Sequence, residues 1–343
     1  MISAIPKDSN IYYQGGYWND IPEVLSYMNQ RFSGSKDIFW IPDFKERYAE
    51  RPFNHALFLC CGNGWLERQF IDDGIVLKAT AFDYSTNLLK QAKQAKGSRP
   101  IRYLQADVNK IDFIDNQFDL IVNSAALHHV QYINRLMRLL LKTIKPNGVF
   151  VNFDYIGPRR NQYGFRQWKQ IKTVNNHLPR LIRNERLQYP DLPTMLDTDP
   201  TEAIHSDLII STLQRYFKLI ERNDVNGGLA YMLLTHNNKI KRLKLSVRKK
   251  WVTTILKLDQ QLTTKGVVPP LFSYFIAQPT KASLKQTKLN KYYQKIEDNR
   301  ELQATKYLGC YTLYEYLIVK THHMLHQMYQ SLQILKQRIK NIE

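Results

Sequence analysis

The chain reads as a doubly wound α/β domain, and three observations carry that reading. A short apolar strand runs into a Gly-x-Gly turn, a second strand ends in an acid, and the alternation of strand and polar turn continues through three further segments. Residues 56–61 of Ala56-Leu-Phe-Leu-Cys-Cys-Gly-Asn-Gly64 form an unbroken apolar run, as a central parallel strand covered on both faces requires. Gly62 and Gly64 let the backbone turn tightly and approach a ligand at the start of a helix over 65–73. The next strand, over 76–82, ends at Asp83, a carboxylate suited to accept both hydroxyls of an adenosine ribose.

A third strand, Ile101 to Gln105, is followed by Asp107, and a fourth, Phe118 to Ser124, opens into Ala-Ala-Leu-His128-His129. A helix over 131–145 and the turn Lys145-Pro-Asn-Gly148 lead into a fifth strand, Val149 to Tyr155. In such a sheet ligands sit at the carboxyl ends of the strands, where all of these polar residues fall. A dehydrogenase would share the strand, the glycines and Asp83, but it places a third glycine where this chain has Glu67. A larger side chain there opposes close helix–strand packing and a pyrophosphate seat, and favours a cofactor without phosphate.

The order Gly-x-Gly, Asp83, Asp107, a Phe-Asp strand ending in Leu-His-His, then Lys-Pro-Asn-Gly resembles the class I S-adenosylmethionine-dependent methyltransferases. More narrowly, Cys-Cys-Gly-Asn-Gly-Trp-Leu-Glu-Arg (60–68), Asp154-Tyr-x-Gly-Pro158 and Asp199-Pro-x-Glu-Ala203 resemble a bacterial group associated with glycan biosynthesis. The likeness spans roughly residues 17–280. It implies a mostly parallel seven-stranded sheet with a final antiparallel strand, for which Leu271 to Gln278 is the candidate. It also implies S-adenosylmethionine held by Cys61, Gly62, Asn63, Gly64, Asp83, Tyr84, Asp107, Val108, Asn123 and Ser124. Gly62 and Gly64 would pass under the methionine part, Asp83 would hold the ribose and Asp107 would approach the adenine amino group. The family at large has an acid where this chain has Phe58, and a glycine in place of Cys60; the missing acid removes one indirect contact to the cofactor amine.

Methyl transfer to a hydroxyl needs alignment and a proton acceptor. His128 and His129, at the exit of the fourth strand, are candidate bases, with Asp154 as a further catalytic candidate, and adjacent residues do not easily both point inward. No metal ligands are assigned: the three cysteines form neither a disulfide framework nor zinc spacing, and Cys60 and Cys61 read as small buried apolar residues. The insertion over 156–198 is rich in Arg, Asn, Gln, Tyr and Pro, and such a segment lies over the carboxyl edge. Tyr155, Arg159, Gln162 and Trp168 are its candidate acceptor contacts, suited to phosphate or sugar hydroxyls. The acceptor expected from this is a small polar molecule, a hydroxyl of a sugar or glycan precursor. A non-catalytic scaffold and an RNA methyltransferase are the rival readings.

Three divisions follow. Residues 1–50 form a helical cap whose Asn19-to-Met28 helix places Ile21, Val24, Leu25 and Met28 on one face. Residues 51–280 form the methyltransferase domain, whose last part opens on a helix capped at Asp199. Residues 281–343 form a basic helical tail. Residues 239–343 hold 20 Lys and Arg against 6 Asp and Glu, most of the chain's net charge of +19. That charge matches an anionic membrane face, a nucleic acid or a protein partner, or simply keeps the chain soluble. Tyr307, Tyr311, Tyr314, Ile318, Thr321, Leu325, Met328, Leu332, Leu335, Ile339 and Ile342 alternate at spacings of four and three, a heptad seam equally consistent with a homodimer and with docking on the core. No stretch is long and apolar enough to span a bilayer, and the first residues lack a signal-peptide core, so a cytoplasmic location is expected.

Overall fold

The computed structural model of the chain describes residues 16–280 and 291–299 together with Leu317, Thr321, Met324, Leu325, Met328, Ser331 and Leu332. Seven strands, β1 (Ala56–Phe58), β2 (Ala79–Asp83), β3 (Ile101–Gln105), β4 (Phe118–Ser124), β5 (Ile144–Tyr155), β6 (Phe217–Asn226) and β7 (Phe272–Pro279), form one sheet in the order β3-β2-β1-β4-β5-β7-β6. The first five are parallel and β7 runs antiparallel between β5 and β6. The strand order reverses between β1 and β4, and the crevice at their carboxyl ends is where such sheets bind ligands.

Side-chain alternation explains why helices cover both faces. Ala56, Phe58, Leu120, Val122, Val151, Tyr274 and Ile276 point into one buried cluster, and Leu57, Leu59, Ile121, Phe150, Phe275 and Ala277 into the other. The first face is covered by α1 (Pro22–Ser33), α2 (Trp40–Tyr48) and α3 (Trp65–Asp72), with α4 (Thr86–Ala95) contributing Leu89 and Ala92. The second is covered by α5 (Ile133–Thr143), whose Leu136, Met137, Leu139, Leu140 and Leu141 are all buried. The insertion holds α6 (Phe165–His177) and α7 (Leu192–Thr198); α8 (Ile209–Leu213) returns to the second face, and α9 (Ala230–Leu234), α10 (Asn238–Lys241) and α11 (Leu245–Thr264) to the first.

Several sequence expectations change in detail. The helix of the cap begins at Pro22, with Ile21 as its N-cap and Asn19 in a preceding single turn, because Asp20 instead accepts the backbone N–H groups of Gly16 and Tyr17. Ile21, Val24 and Met28 are buried, but Leu25 is 40% exposed. The helix lies against the sheet edge, where Arg31 donates twice to the carbonyl of Asp224 on β6. Asp199 does not open a helix: its backbone N–H ends α7 on the Met195 carbonyl, and its carboxylate accepts the N–H and hydroxyl of Thr201 and closes a local turn. The Lys145-to-Gly148 turn is absorbed into β5 as an irregularity in its register with β4.

Part of the basic tail returns to the core. Residues 291–299 are helical; Glu297 accepts the N–H of Asn134 in the first turn of α5, and the Arg215 guanidinium lies 3.4 Å from the Tyr293 ring centroid. Among the seam positions within the described residues, Leu325, Met328 and Leu332 are all more than half exposed, with Leu317 and Met324 beside them. Thr321 is exposed as well, and the other seam residues lie outside the described residues. Among those described, no helix is long and apolar enough to cross a membrane.

One buried carboxylate ties α11 to the turn that opens α9. Asp259 on α11 accepts the N–H groups of Gly227, Leu229 and Ala230, the donors that open α9. Replacing Asp259 with Ala leaves three buried donors unsatisfied, so we expect a loss of about 2–4 kcal/mol in chemical denaturation. A change under about 0.5 kcal/mol would show that water replaces the carboxylate.

Candidate active site

The turn after β1 is shaped by what it must avoid. Cys60, Gly62 and Gly64 all have positive φ, at 43°, 55° and 74°. A side chain on Gly64 would collide with the Tyr103 hydroxyl at 2.3 Å and with Ala92 at 2.9 Å, so the position accepts no other residue. Cys60 adopts the left-handed backbone that its usual glycine would take without strain, at a cost of about 1 kcal/mol. The Asp83 carboxylate accepts the N–H of Gly62 and that of Ser85, both at 2.8 Å, and so holds the turn to the end of β2. Burial raises its pKa, and these backbone bonds work against that rise. Burial likewise pushes the thiols of Cys60 and Cys61 well above the ordinary range.

Glu67 occupies the third-glycine position and is fully buried, with no hydrogen-bond partner for either carboxylate oxygen. Burial pushes its pKa up to about 8. Glu67 lies in the first turn of α3, directly after the Gly62–Gly64 turn. In the sequence Glu67 registers as a steric obstacle at the third-glycine position, while the burial of its carboxylate is visible only in the fold.

The remaining cofactor positions gather at neighbouring strand ends. Tyr84 is half-exposed beside Asp83. Asp107 follows β3 and accepts the Asn109 N–H, with Lys110 beside it at 3.2 Å. Val108 packs with Leu59 and Phe82. Asn123 and Ser124 end β4, and Asn123 is buried, donating to Asn152 and to Asp154.

Asp154 organises the other half of the site. One of its oxygens accepts Asn123 Nδ2 and the N–H groups of Ala126 and Leu127; the other accepts the N–H of Tyr155 and meets His128 Nδ1 at 2.5 Å. Burial opposes the charge on this carboxylate, but His128 and the donors around it prevail and its pKa falls. For His128 burial likewise opposes the charge, and Asp154 outweighs it, raising the imidazole to about 9. Burial and the charge of His128 push His129 down. Asp154 therefore stands behind His128 as a positioning group.

Both histidines face the same carboxylate, contrary to the expectation that neighbours would diverge. They sit on a single 3-10 turn, Leu127–His129, and the strained φ of 54° at Ala125 sets the direction of the loop that leads into it. Glu202 Oε2 lies 3.8 Å from His128 Nε2 and 3.9 Å from His129 Nε2. The Glu202 loop is clamped in place: Ile204 N–H donates to the His128 carbonyl, Arg160 Nη1 to the carbonyls of Pro200 and Glu202, and Arg159 Nε to that of Ile204. Gln162 donates to the carbonyls of Arg160 and Pro190, and Trp168 meets Tyr189 edge to face. Arg159 and Gln162 thus build the insertion, and Tyr155 forms one wall of the site, 6.1 Å ring to ring from His128. Glu202 stands in the motif Asp199-Pro-x-Glu-Ala203, but nothing in its local sequence marks it as a partner of the histidines.

A sheet with this strand order, a Gly-x-Gly turn tied to an acid on β2, and a polar cluster at the exits of β4 and β5 define a Rossmann-like methyltransferase. A methyltransferase domain family matches residues 57–152. The chain is 34% identical over 175 residues to the 2-phytyl-1,4-naphtoquinone methyltransferase of Nostoc sp., covering 49% of this chain and 76% of that protein. It is 29% identical over 230 residues to the ubiquinone/menaquinone biosynthesis C-methyltransferase of Pseudomonas aeruginosa, covering 66% and 89% of the two chains. Its fold is also similar to that of an S-adenosylmethionine-dependent methyltransferase from Mesorhizobium loti, at 19% identity and a TM-score of 0.42, over 70% of this chain and 96% of that one. The chain belongs to the class I S-adenosylmethionine-dependent methyltransferases, and its cofactor is S-adenosylmethionine.

The residues present fit that cofactor: the Gly64 cradle leaves no room for a side chain, and a buried, unpartnered carboxylate at Glu67 suits a cationic ligand. Calorimetry with S-adenosylmethionine should show Asp83→Ala weakening binding by about 10–100-fold, the 1.4–2.8 kcal/mol that loss of charge-assisted bonds represents; unchanged affinity would remove Asp83 from the site. Glu67 also gives a signed pH effect. Its folded pKa lies above the ordinary 4.5, so its contribution to stability is intact below about pH 4.5 and is lost as pH rises to about 8. Glu67→Gln should match the parent in thermal melts at pH 4 and exceed it progressively up to pH 8, on the order of 1–3 kcal/mol. Parallel curves would show that Glu67 ionises normally.

Proposed function

We propose that this methyltransferase acts on a small hydroxylated ring compound of the hydroquinone class. The observation that carries the reading is the aromatic lining beside the His128, His129 and Glu202 cluster. Tyr155, Tyr163 and Leu271 pack with Tyr231, Trp168 and Phe272, and Trp18 stacks on Phe272 at 5.5 Å. The Tyr155 ring lies 6.1 Å from that of His128 and meets Phe272 edge to face, so the aromatic cluster borders the histidines. Flat aromatic walls with a few polar tips suit a planar ring bearing oxygen.

Relatives named for naphthoquinone and menaquinone or ubiquinone substrates support the same class. The sugar hydroxyl suggested by the sequence rests on the resemblance to a glycan-associated group and on the polar, aromatic insertion, and in that insertion the Arg159, Arg160 and Gln162 side chains donate to backbone carbonyls. That engagement favours the aromatic acceptor over the sugar.

Bound S-adenosylmethionine supplies the electrophilic methyl group. The chain's part is to seat the acceptor hydroxyl at the imidazole and carboxylate cluster, take its proton and pass it to solvent. An ionised ring hydroxyl is nucleophilic at oxygen and at the adjacent ring carbon, so the same cluster serves either product.

Methyl-labelled cofactor offered with hydroxylated naphthalenes, catechols, sugars and nucleotide sugars tests this. Transfer to the aromatic compounds is expected, with Glu202→Gln and His129→Ala each reducing kcat by about 10²-fold or more while cofactor affinity holds within about twofold. Transfer to sugars alone would overturn the acceptor class.

A further inference from the structure

We propose that His128, His129 and Glu202 form a binding site for one first-row transition-metal dication. The three residues offer ligand atoms that all lie within 4.8 Å of one another. Glu202 Oε2 is 3.8 Å from His128 Nε2 and 3.9 Å from His129 Nε2. Metal–ligand bonds of about 2.0–2.2 Å bring ligand atoms to about 3.0–3.4 Å from one another, so the Glu202–imidazole separations need to contract by less than about an ångström and the imidazole–imidazole separation, within 4.8 Å, by up to about 1.8 Å. Rotation of the half-buried Glu202 side chain and of the two rings provides it.

The second observation lies on the far side of each ligand. His128 Nδ1 is held by the buried Asp154 carboxylate at 2.5 Å, and His129 Nδ1 by the Thr201 hydroxyl at 3.0 Å, with Asp199 behind it at 3.8 Å. Glu202 Oε1 accepts Asn161 Nδ2 at 3.1 Å, which leaves Oε2 to face the histidines. Every ligand is thus oriented through its other polar atom, the arrangement by which proteins aim imidazole and carboxylate at a cation. The loops that carry them are bonded to each other and include the left-handed residues Ala125, Asn161 and Ala203, a backbone cost that a site held in one geometry accounts for.

Two imidazoles and one carboxylate select Zn²⁺, Fe²⁺, Co²⁺ or Mn²⁺ over Mg²⁺ and Ca²⁺, which prefer all-oxygen shells. Three protein ligands leave further coordination positions open. An acceptor oxygen that enters one of them would be acidified by the cation, with its proton released to solvent. That role rests on the acceptor class proposed above; the binding itself does not.

The test uses the full chain, stripped with chelator and titrated with Zn²⁺ or Co²⁺ alone, with no cofactor or acceptor present. One ion per chain is expected by calorimetry, and Co²⁺ should develop visible ligand-field bands of a nitrogen and oxygen site. Glu202→Gln and His129→Ala should each weaken Zn²⁺ binding at least tenfold, and Thr201→Val, which removes only a supporting hydroxyl, should weaken it several-fold. Binding of S-adenosylmethionine by each variant reports that it is folded. His322, His323 and His326 offer imidazoles elsewhere in the sequence. Zn²⁺ affinity unchanged in a Glu202→Gln, His129→Ala double variant would place the ion elsewhere and overturn the proposal, as would no binding by the parent protein.

Discussion

The site half of this molecule depends on one buried charge. The carboxylate of Asp154, at the end of β5, gathers a side chain from the end of β4, the N–H groups of the loop that follows and the imidazole of His128. Taking such an ion out of water costs several kcal/mol, and five donors arranged around it offset that cost. The loop after β4 therefore has its conformation dictated from the neighbouring strand, and with it the direction of both histidines. The charge state of His128 follows from the same contact.

A second constraint works on backbone. Of the non-glycine residues with positive φ among those described, Cys60, Ala125, Arg160, Asn161 and Ala203 all lie at the strand exits or on the loop that faces them. Isolated, such residues are unfavourable by roughly 1 kcal/mol or more each. Here they are held by hydrogen bonds between the loops, including those from Arg159 and Arg160 to carbonyls of the 200–204 segment. The basic and aromatic insertion thus serves as a brace for the Glu202 loop. Helix α9, opened by the Asp259 carboxylate, and the cap residue Trp18 complete the aromatic wall through Tyr231 and Phe272.

The five parallel strands and the cofactor are legible because they depend on local patterns, whereas β7 follows from the family resemblance and β6 carries no such signal. An unbroken apolar run marks a doubly covered strand, glycine marks a turn with positive φ, and an acid at a strand end suits a ribose hydroxyl. Glu67 was visible but was read as bulk, because a lone sequence position does not reveal that a carboxylate is buried without a partner. Asp199 was read as a helix cap because its type and place suit one, whereas its carboxylate closes on Thr201 instead. Arg159 and Gln162 were read as acceptor contacts by composition, and only their backbone partners reveal the bracing role.

What the sequence by itself determined is the fold, the cofactor and the chemistry of group transfer, since periodicity and short-range spacing encode them. Only the tertiary structure decided that His128, His129 and Glu202 meet. They come from segments more than seventy residues apart in sequence, brought together by Asp154, by the clamped 199–206 turn and by strained backbone. Such convergence depends on long-range hydrogen bonds and on burial, and no local pattern in the chain records either.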